Sequence, residues 1–290
     1  MKLVATGQSF TLGSVPRVTP PVFRLLLFCL GLAVGPAARP AGEDVTAAWE
    51  LVGRHLANDA LAGLQSNREH GSREAAFAEA VVLMDSQPVT DGGLREVAER
   101  LGELARGDDE IAQASAYLTG RLYQAHFFTP DYVRAAQQYE QLAARHPASY
   151  WAQLGLVKLA LLKLYALPEP AEPAARIAAA EALLPRLTRP ELQRDAHIVI
   201  GRARLFHGQP VDTVLAHLLE ADRIGGLAGL KRGELQLQIG ELSRRAGHWE
   251  QARDYFQRFV DENEVDGRVY NVKAKLAEIA AHRPPGGPRP

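Results

Sequence analysis

Between Leu235 and Phe259, Gly240 is followed at intervals of 7, 9, 12 and 16 residues by Gly247, Trp249, Ala252 and Phe256. That spacing predicts two antiparallel helices, stopped and restarted at Gly247, that meet through small and aromatic side chains. Related skeletons lie upstream. Gly120 leads to Tyr123, Ala135 and Tyr139; Trp151 and Leu154 precede Gly155; Gly201 precedes Gly208. The glycines at 120, 155, 201 and 240 stand 35, 46 and 39 residues apart. One such hairpin cannot bury its apolar face alone, so successive hairpins must stack. The sequence therefore predicts an all-α chain, a solenoid of stacked antiparallel helix pairs. No segment shows sustained period-two alternation, and no β-sheet is expected.

Start and stop signals divide the chain further. Ser72 is expected to cap a helix to about Met84, with a break at Thr90-Asp91-Gly92-Gly93 and a second helix to Ala105 ended by Gly107. Asp108-Asp109-Glu110 places carboxylates at the positive end of a helix dipole. Thr129-Pro130-Asp131 reads as a start with threonine as the cap. Helices follow to Arg145, from Ser149 to Tyr165, from the proline-rich link 168–173 to near Pro185, and from Pro190 to Gly208. Further ones run from Pro210 to Gly225, from Ala228 to Ala246, from Trp249 to Glu262, and from Asp266 to His282. The tail 283–290, rich in proline and glycine, is expected to be disordered.

At the other end, residues 1–42 carry Lys2, Arg17, Arg24 and Arg39 and no acid, leaving 29 basic and 34 acidic residues beyond them, a net of −5. Arg24 precedes an apolar run, Leu25 to Val34, and the small-residue exit Gly35-Pro36-Ala37. This is the pattern of an export signal cleaved near Ala37, and the run is shorter than the ~20 residues a spanning helix needs. Export to the periplasm or outer envelope of a bacterium is expected. The prolines at 16, 20 and 21 also suit translation starting near Val18 or Val22. Cys29, the only cysteine, lies inside that run and matches a lipoprotein signal poorly, so the mature chain would have no thiol or disulfide chemistry. The predicted organisation is a leader (1–42), N-terminal hairpins that are degenerate repeats or a cap (43–107), an array (108–282) and a tail (283–290).

These skeletons resemble the tetratricopeptide repeat, which implies that the solenoid is right-handed. Its first helix carries Trp-x2-Leu-Gly-x2-Tyr and its second Ala-x3-Phe, with a proline after. Trp151, Leu154 and Gly155 match the first helix, with Lys158 in place of the tyrosine; Ala252 and Phe256 match the second. Gly120, Tyr123, Ala135, Tyr139 and Pro147 form another unit with extra turn residues at 126–129. In the Gly201 unit, Thr213 and His217 replace the alanine and the aromatic. The resemblance implies a concave face built from first-helix positions. On the Gly120 unit these are Ala114, Tyr117, Arg121, Gln124 and Ala125. On the Gly201 unit they are Asp195, Ile198, Arg202, Leu205 and Phe206; on the Gly240 unit, Glu234, Leu237, Glu241, Arg244 and Arg245. A groove in which Arg121, Arg202, Arg244 and Arg245 stand near exposed Tyr117 and Phe206 could hold a peptide carboxylate beside apolar anchors. The same arginines also read as ordinary solvated helix faces.

Catalytic and metal motifs are missing. The nine histidines form no His-x3-His or His-Glu-x2-His pair, and no Gly-x-Ser-x-Gly or Gly-x4-Gly-Lys loop occurs, so no metal, cofactor or catalysis is expected. His217 is expected to fill an interhelical aromatic position, and Trp49 and Trp249 to pack. The formal charge of −1 gives no field suited to nucleic acid. The functional expectation is a non-catalytic scaffold or adaptor of the cell envelope that binds a peptide or helix of another envelope protein. A secreted helical-toroid carbohydrate enzyme, with two carboxylates facing across a pocket, and a passive structural spacer are the alternatives.

Overall fold

The computed structural model describes residues 41–66, 72–85 and 87–281. The predicted leader, its cleavage site and the tail from 283 onward lie outside them, apart from Ala41 and Gly42. The chain divides into two compact units, Met1–Val89 and Thr90–Pro290. All regular structure among the described residues is helical, with no strand.

The first unit contains α1 (Ala41–Gly53), α2 (Ala57–Ser66) and α3 (Arg73–Asp85). Val45 and Ala48 of α1, Ala60 and Leu64 of α2, and Ala78 and Val82 of α3 make one buried cluster. Trp49 packs against Phe77 with ring centroids 6.5 Å apart, as a packing residue should. Ser72 caps α3 by accepting the amide of Ala75 at 3.1 Å.

The second unit holds α4 (Asp91–Leu104), α5 (Glu110–Arg121), α6 (Tyr132–Arg145), α7 (Tyr150–Tyr165) and α8 (Pro173–Glu181). It continues with α9 (Pro190–Phe206), α10 (Val211–Ile224), α11 (Gly229–Ala246), α12 (Trp249–Glu262) and α13 (Val269–Ala281). Consecutive helices pack along their lengths, and α7 also meets α5 and α9, which places first helices side by side. Helix α4, grouped by sequence with the N-terminal hairpins, sits within this unit and packs on α5.

Two start signals act differently from their sequence reading. Thr90-Asp91-Gly92-Gly93 opens α4 instead of breaking the chain, because the Thr90 hydroxyl accepts the Gly93 amide at 3.1 Å. A Cβ at Gly93 would stand 3.3 Å from that oxygen, so glycine leaves the cap its room. At α6 the cap is Asp131 and not Thr129; its carboxylate accepts the Arg134 amide at 2.9 Å. A π turn, Leu122–His126, ends α5, and the extra turn residues that follow form the loop ahead of Asp131. Elsewhere α5 and α7 begin where the sequence marked helix starts, with Asp109 and Ser149 as their caps. Gly247, at φ 80°, closes α11 while the next amide, of His248, donates back to the Ser243 carbonyl at 2.8 Å.

The array is held by side chains that fill the space glycines leave. A Cβ at Gly120 would lie 2.5 Å from the Tyr139 ring, and one at Gly155 would lie 3.2 Å from it. One phenol on α6 is thus clasped between α5 and α7. Phe256 repeats the arrangement: it lies 2.7 Å from a Cβ at Gly240 and joins Val269, Val272 and Ile279 of α13 in one cluster. At Gly201 the filler is Leu218, with only the Cβ of His217 nearby. The His217 ring does not take the aromatic position; hydrogen bonding turns it elsewhere. These close approaches, with Ala135 and Ala252 fully buried, make the unit an array of antiparallel helix pairs joined by glycine–aromatic packing.

The 168–173 insertion is tied down. The Arg176 guanidinium donates to the carbonyls of Leu167 at 2.7 Å and Lys163 at 3.3 Å, covering the end of α7 where carbonyls lack helical partners. Buried Gln153 spans the next joint. Its amide donates to the Thr188 hydroxyl at 2.6 Å, and its oxygen accepts the amides of Thr188 and Arg189 at 3.0 and 2.9 Å.

Candidate functional site

The first-helix residues named from sequence fall into three groups. On α5, Ala114 and Tyr117 are buried, Tyr117 to 6%, so neither offers a groove anchor. The Tyr117 ring packs against Tyr139 at 5.8 Å and Trp151 at 5.5 Å. Residues of the next unit cover it, which no local pattern reveals. Burial pushes its hydroxyl pKa up to about 12.

Arg121 and Gln124 do come together. Gln124 Oε1 accepts from the Tyr139 hydroxyl at 2.8 Å and from Arg121 Nη1 at 3.2 Å. The buried phenol therefore orients the amide, and the amide steers the guanidinium. Across from them on α7 stands Lys158, half-buried, whose ammonium has neither a hydrogen bond nor an ion pair among the described residues. Burial lowers its pKa, the positive charge of Arg121 lowers it further, and Asp195 acts in the opposite sense. The carboxylate of Asp195 is already engaged: its Oδ1 accepts Arg194 Nε at 2.9 Å and Nη2 at 2.8 Å. Arg194 is in turn fixed by donating to the Gly225 carbonyl at 3.0 Å. Lys158 thus feels the charge of Arg121, and the one acid acting on it, Asp195, is held by Arg194.

The second group joins the ends of α7 and α9. Phe206, 74% exposed, meets Tyr165 edge-on at 5.9 Å, and Tyr165 stacks on His207 at 6.4 Å. Arg202 is exposed beside them, its charge acting on the Tyr165 hydroxyl. Leu205 extends this apolar ledge.

In the third group Arg244 and Arg245 do not stand free. Both donate to Glu241, at 2.9 and 3.3 Å, and Lys275 of α13 joins them at 2.9 Å. Arg244 first and Lys275 second hold the Glu241 pKa down at about 2. Lys275 was invisible to the repeat pattern because it belongs to the terminal helix. The four arginines therefore serve separate contacts and do not converge on a single carboxylate.

The second helices carry an open groove of roughly 730 Å³ between α10 and the start of α12. Leu215 and Leu219 line it together with Asp212, Trp249 and Glu250. Trp249 is 40% exposed here, a departure from its expected packing role that follows from its place at the first turn of α12. Asp212 is engaged by His248 at 2.7 Å.

A partly buried polar chain links α8, α9 and α10. His197 Nδ1 and His217 Nδ1 lie 3.0 Å apart, and His217 Nε2 lies 3.0 Å from Glu181 Oε1. Arg204 Nε donates to the same oxygen at 3.0 Å. Among the described residues no group of three or more His, Cys, Asp or Glu is placed to hold a metal ion, and no helix is long and apolar enough to cross a membrane.

No protein-family model matches the chain, and no curated protein matches it either. Among solved structures it is similar to TTC0263, a thermophilic TPR protein of Thermus thermophilus. The two share 13% identity and a TM-score of 0.35, over 82% of this chain and 98% of that one. BtubC (BKLC) from P. vanneervenii is 17% identical with a TM-score of 0.46, over 86% of this chain and 95% of that one.

Proposed function

We propose that this tetratricopeptide-like array is a non-catalytic interaction scaffold, and that its first-helix surface holds an acidic segment of a partner protein. The supporting observation is the Arg121–Lys158 pair. Like charges in a partly desolvated site raise each other's energy, and an anionic group placed between them relieves both. The Tyr139–Gln124 contact presets one of the two cations, which reduces the ordering cost of binding. The Tyr165–Phe206 ledge supplies apolar contact for the same class of partner.

Selection from a random peptide library on the immobilised protein tests this reading. Enriched peptides should carry Asp or Glu near an apolar residue. Losing a charged hydrogen bond costs about 1.5–3 kcal/mol, so Lys158→Met combined with Arg121→Met should weaken them about tenfold or more. Enrichment without acidic residues, or unchanged binding by the double variant, would refute it.

The apolar run after Arg24 supports export, and we place the partner in the bacterial cell envelope. Recovery of a periplasmic form beginning at Ala38 supports that placement; a cytoplasmic, unprocessed chain removes it.

A further inference from the structure

We propose that His197 and His217 form a proton-operated joint, which loosens the contact between α9 and α10 as the medium becomes acidic. The two imidazoles face each other through Nδ1 at 3.0 Å, so one nitrogen must donate and the other accept. Glu181 Oε1 can only accept, so the neutral His217 carries its proton on Nε2 and presents a bare Nδ1 to His197. His197 Nδ1–H is then the donor. Either ring can take a first proton with the contact intact, because one bare nitrogen remains across the gap. A second proton sets two N–H groups against each other and breaks it.

The charged groups around the pair come from three helices: Glu181 at the end of α8, Arg204 on α9, and Glu220 with Arg223 on α10. Glu220 and Arg223 are bound to each other at 2.6 Å, and Arg204 is bound to Glu181, so each carboxylate is already matched by a guanidinium. Burial is the largest influence on both histidines and lowers their pKa values; for His197 the charge of His217 adds to it. The folded joint thus holds fewer protons than the free chain below about pH 6.5, the ordinary histidine value. Each proton withheld at pH 5.5 favours the opened joint about tenfold. The place where this acts is specific. The contact that opens joins α9 to α10, while His217 Nε2–H stays bound to Glu181, the last residue of the short helix after the proline-rich insertion.

Amide hydrogen exchange on the full chain at pH 7.5 and 5.5, corrected for intrinsic rates, reads the opening directly. Residues 190–206 and 211–224 should open about tenfold more readily at the lower pH. His217→Gln keeps a donor toward Glu181 but cannot be protonated, so it should abolish that response, while His248→Gln at the exposed Asp212 pair should leave it intact. An equal response in wild type and His217→Gln overturns the proposal. Imidazole NMR titration of the wild type is independent of whether the variant folds. The joint requires one of the two protonations to be displaced well below pH 6.5, and two independent protonations near 6.5 would rule it out.

Discussion

The Tyr139 ring occupies the volume that a side chain at Gly120 would need, with only 2.5 Å between its Cε1 and an added Cβ. Neither partner can relax freely, since Tyr139 is fully buried and its hydroxyl is tied to Gln124. Gly120→Ala should therefore destabilise the second unit by about 1–3 kcal/mol, the usual cost of overpacking. Tyr139→Ala leaves a cavity and should cost about 3–5 kcal/mol, as for other large aromatics. Because the removed ring is what the new methyl strikes, the double variant should be much less destabilised than the sum. Urea unfolding of the four proteins measures that coupling.

Gln153 is expected to be a second sensitive position. Gln153→Ala orphans the amides of Thr188 and Arg189 at the entry to α9 and opens a cavity beside α7. Both amides are only partly buried, so the cost stays within the about 1–3 kcal/mol of one buried unsatisfied group and should appear as a lowered urea midpoint. Gln153→Glu retains the two accepting contacts while replacing the donor to Thr188, and should be milder above the carboxylate pKa.

Glu241 gives a pH-dependent prediction. Its folded pKa, about 2, is below the ordinary 4.5, so the contribution is complete above about pH 4.5 and declines as pH falls toward 2. Lys275 and Arg245 are substantially exposed, and solvent screening limits the effect to roughly 1–2 kcal/mol. Glu241→Gln should lower stability by that amount at pH 7 and by little at pH 2.5. Equal losses at both values would show that the carboxylate charge contributes nothing.

At Gly247 the backbone is left-handed, a conformation that costs other residues about 1 kcal/mol. Nothing lies within 4 Å of a Cβ built there, so Gly247→Ala isolates the backbone term. The expected change is about 1 kcal/mol, read from thermal unfolding, with partner binding unaltered.

What the sequence revealed was largely local. Ser149 and Asp109 cap the helices they precede, and Trp249 to Glu262 forms a helix with the predicted limits, because these signals act within one turn. Gly120 and Tyr139 were legible as a packing pair because their separation is set by a hairpin. Asp131 displaced Thr129 as a cap once the π turn had shifted the loop. Hidden features depend on neighbours remote in sequence: Trp151 covering Tyr117, Arg194 engaging Asp195 while Lys158 stays unpaired, and Lys275 reaching Glu241. The His197–His217 contact was hidden too, since a ten-residue spacing on paper says nothing about two helices folding back on each other.

Because the Tyr139 phenol is gripped from both sides, by Gly120 and by Gly155, it belongs to two hairpins at once. No cut between α6 and α7 separates independent modules. A fragment ending at Pro147 would present an aromatic face to water, and one beginning at Ser149 would carry an empty notch, so either half should aggregate or unfold where the intact array does not.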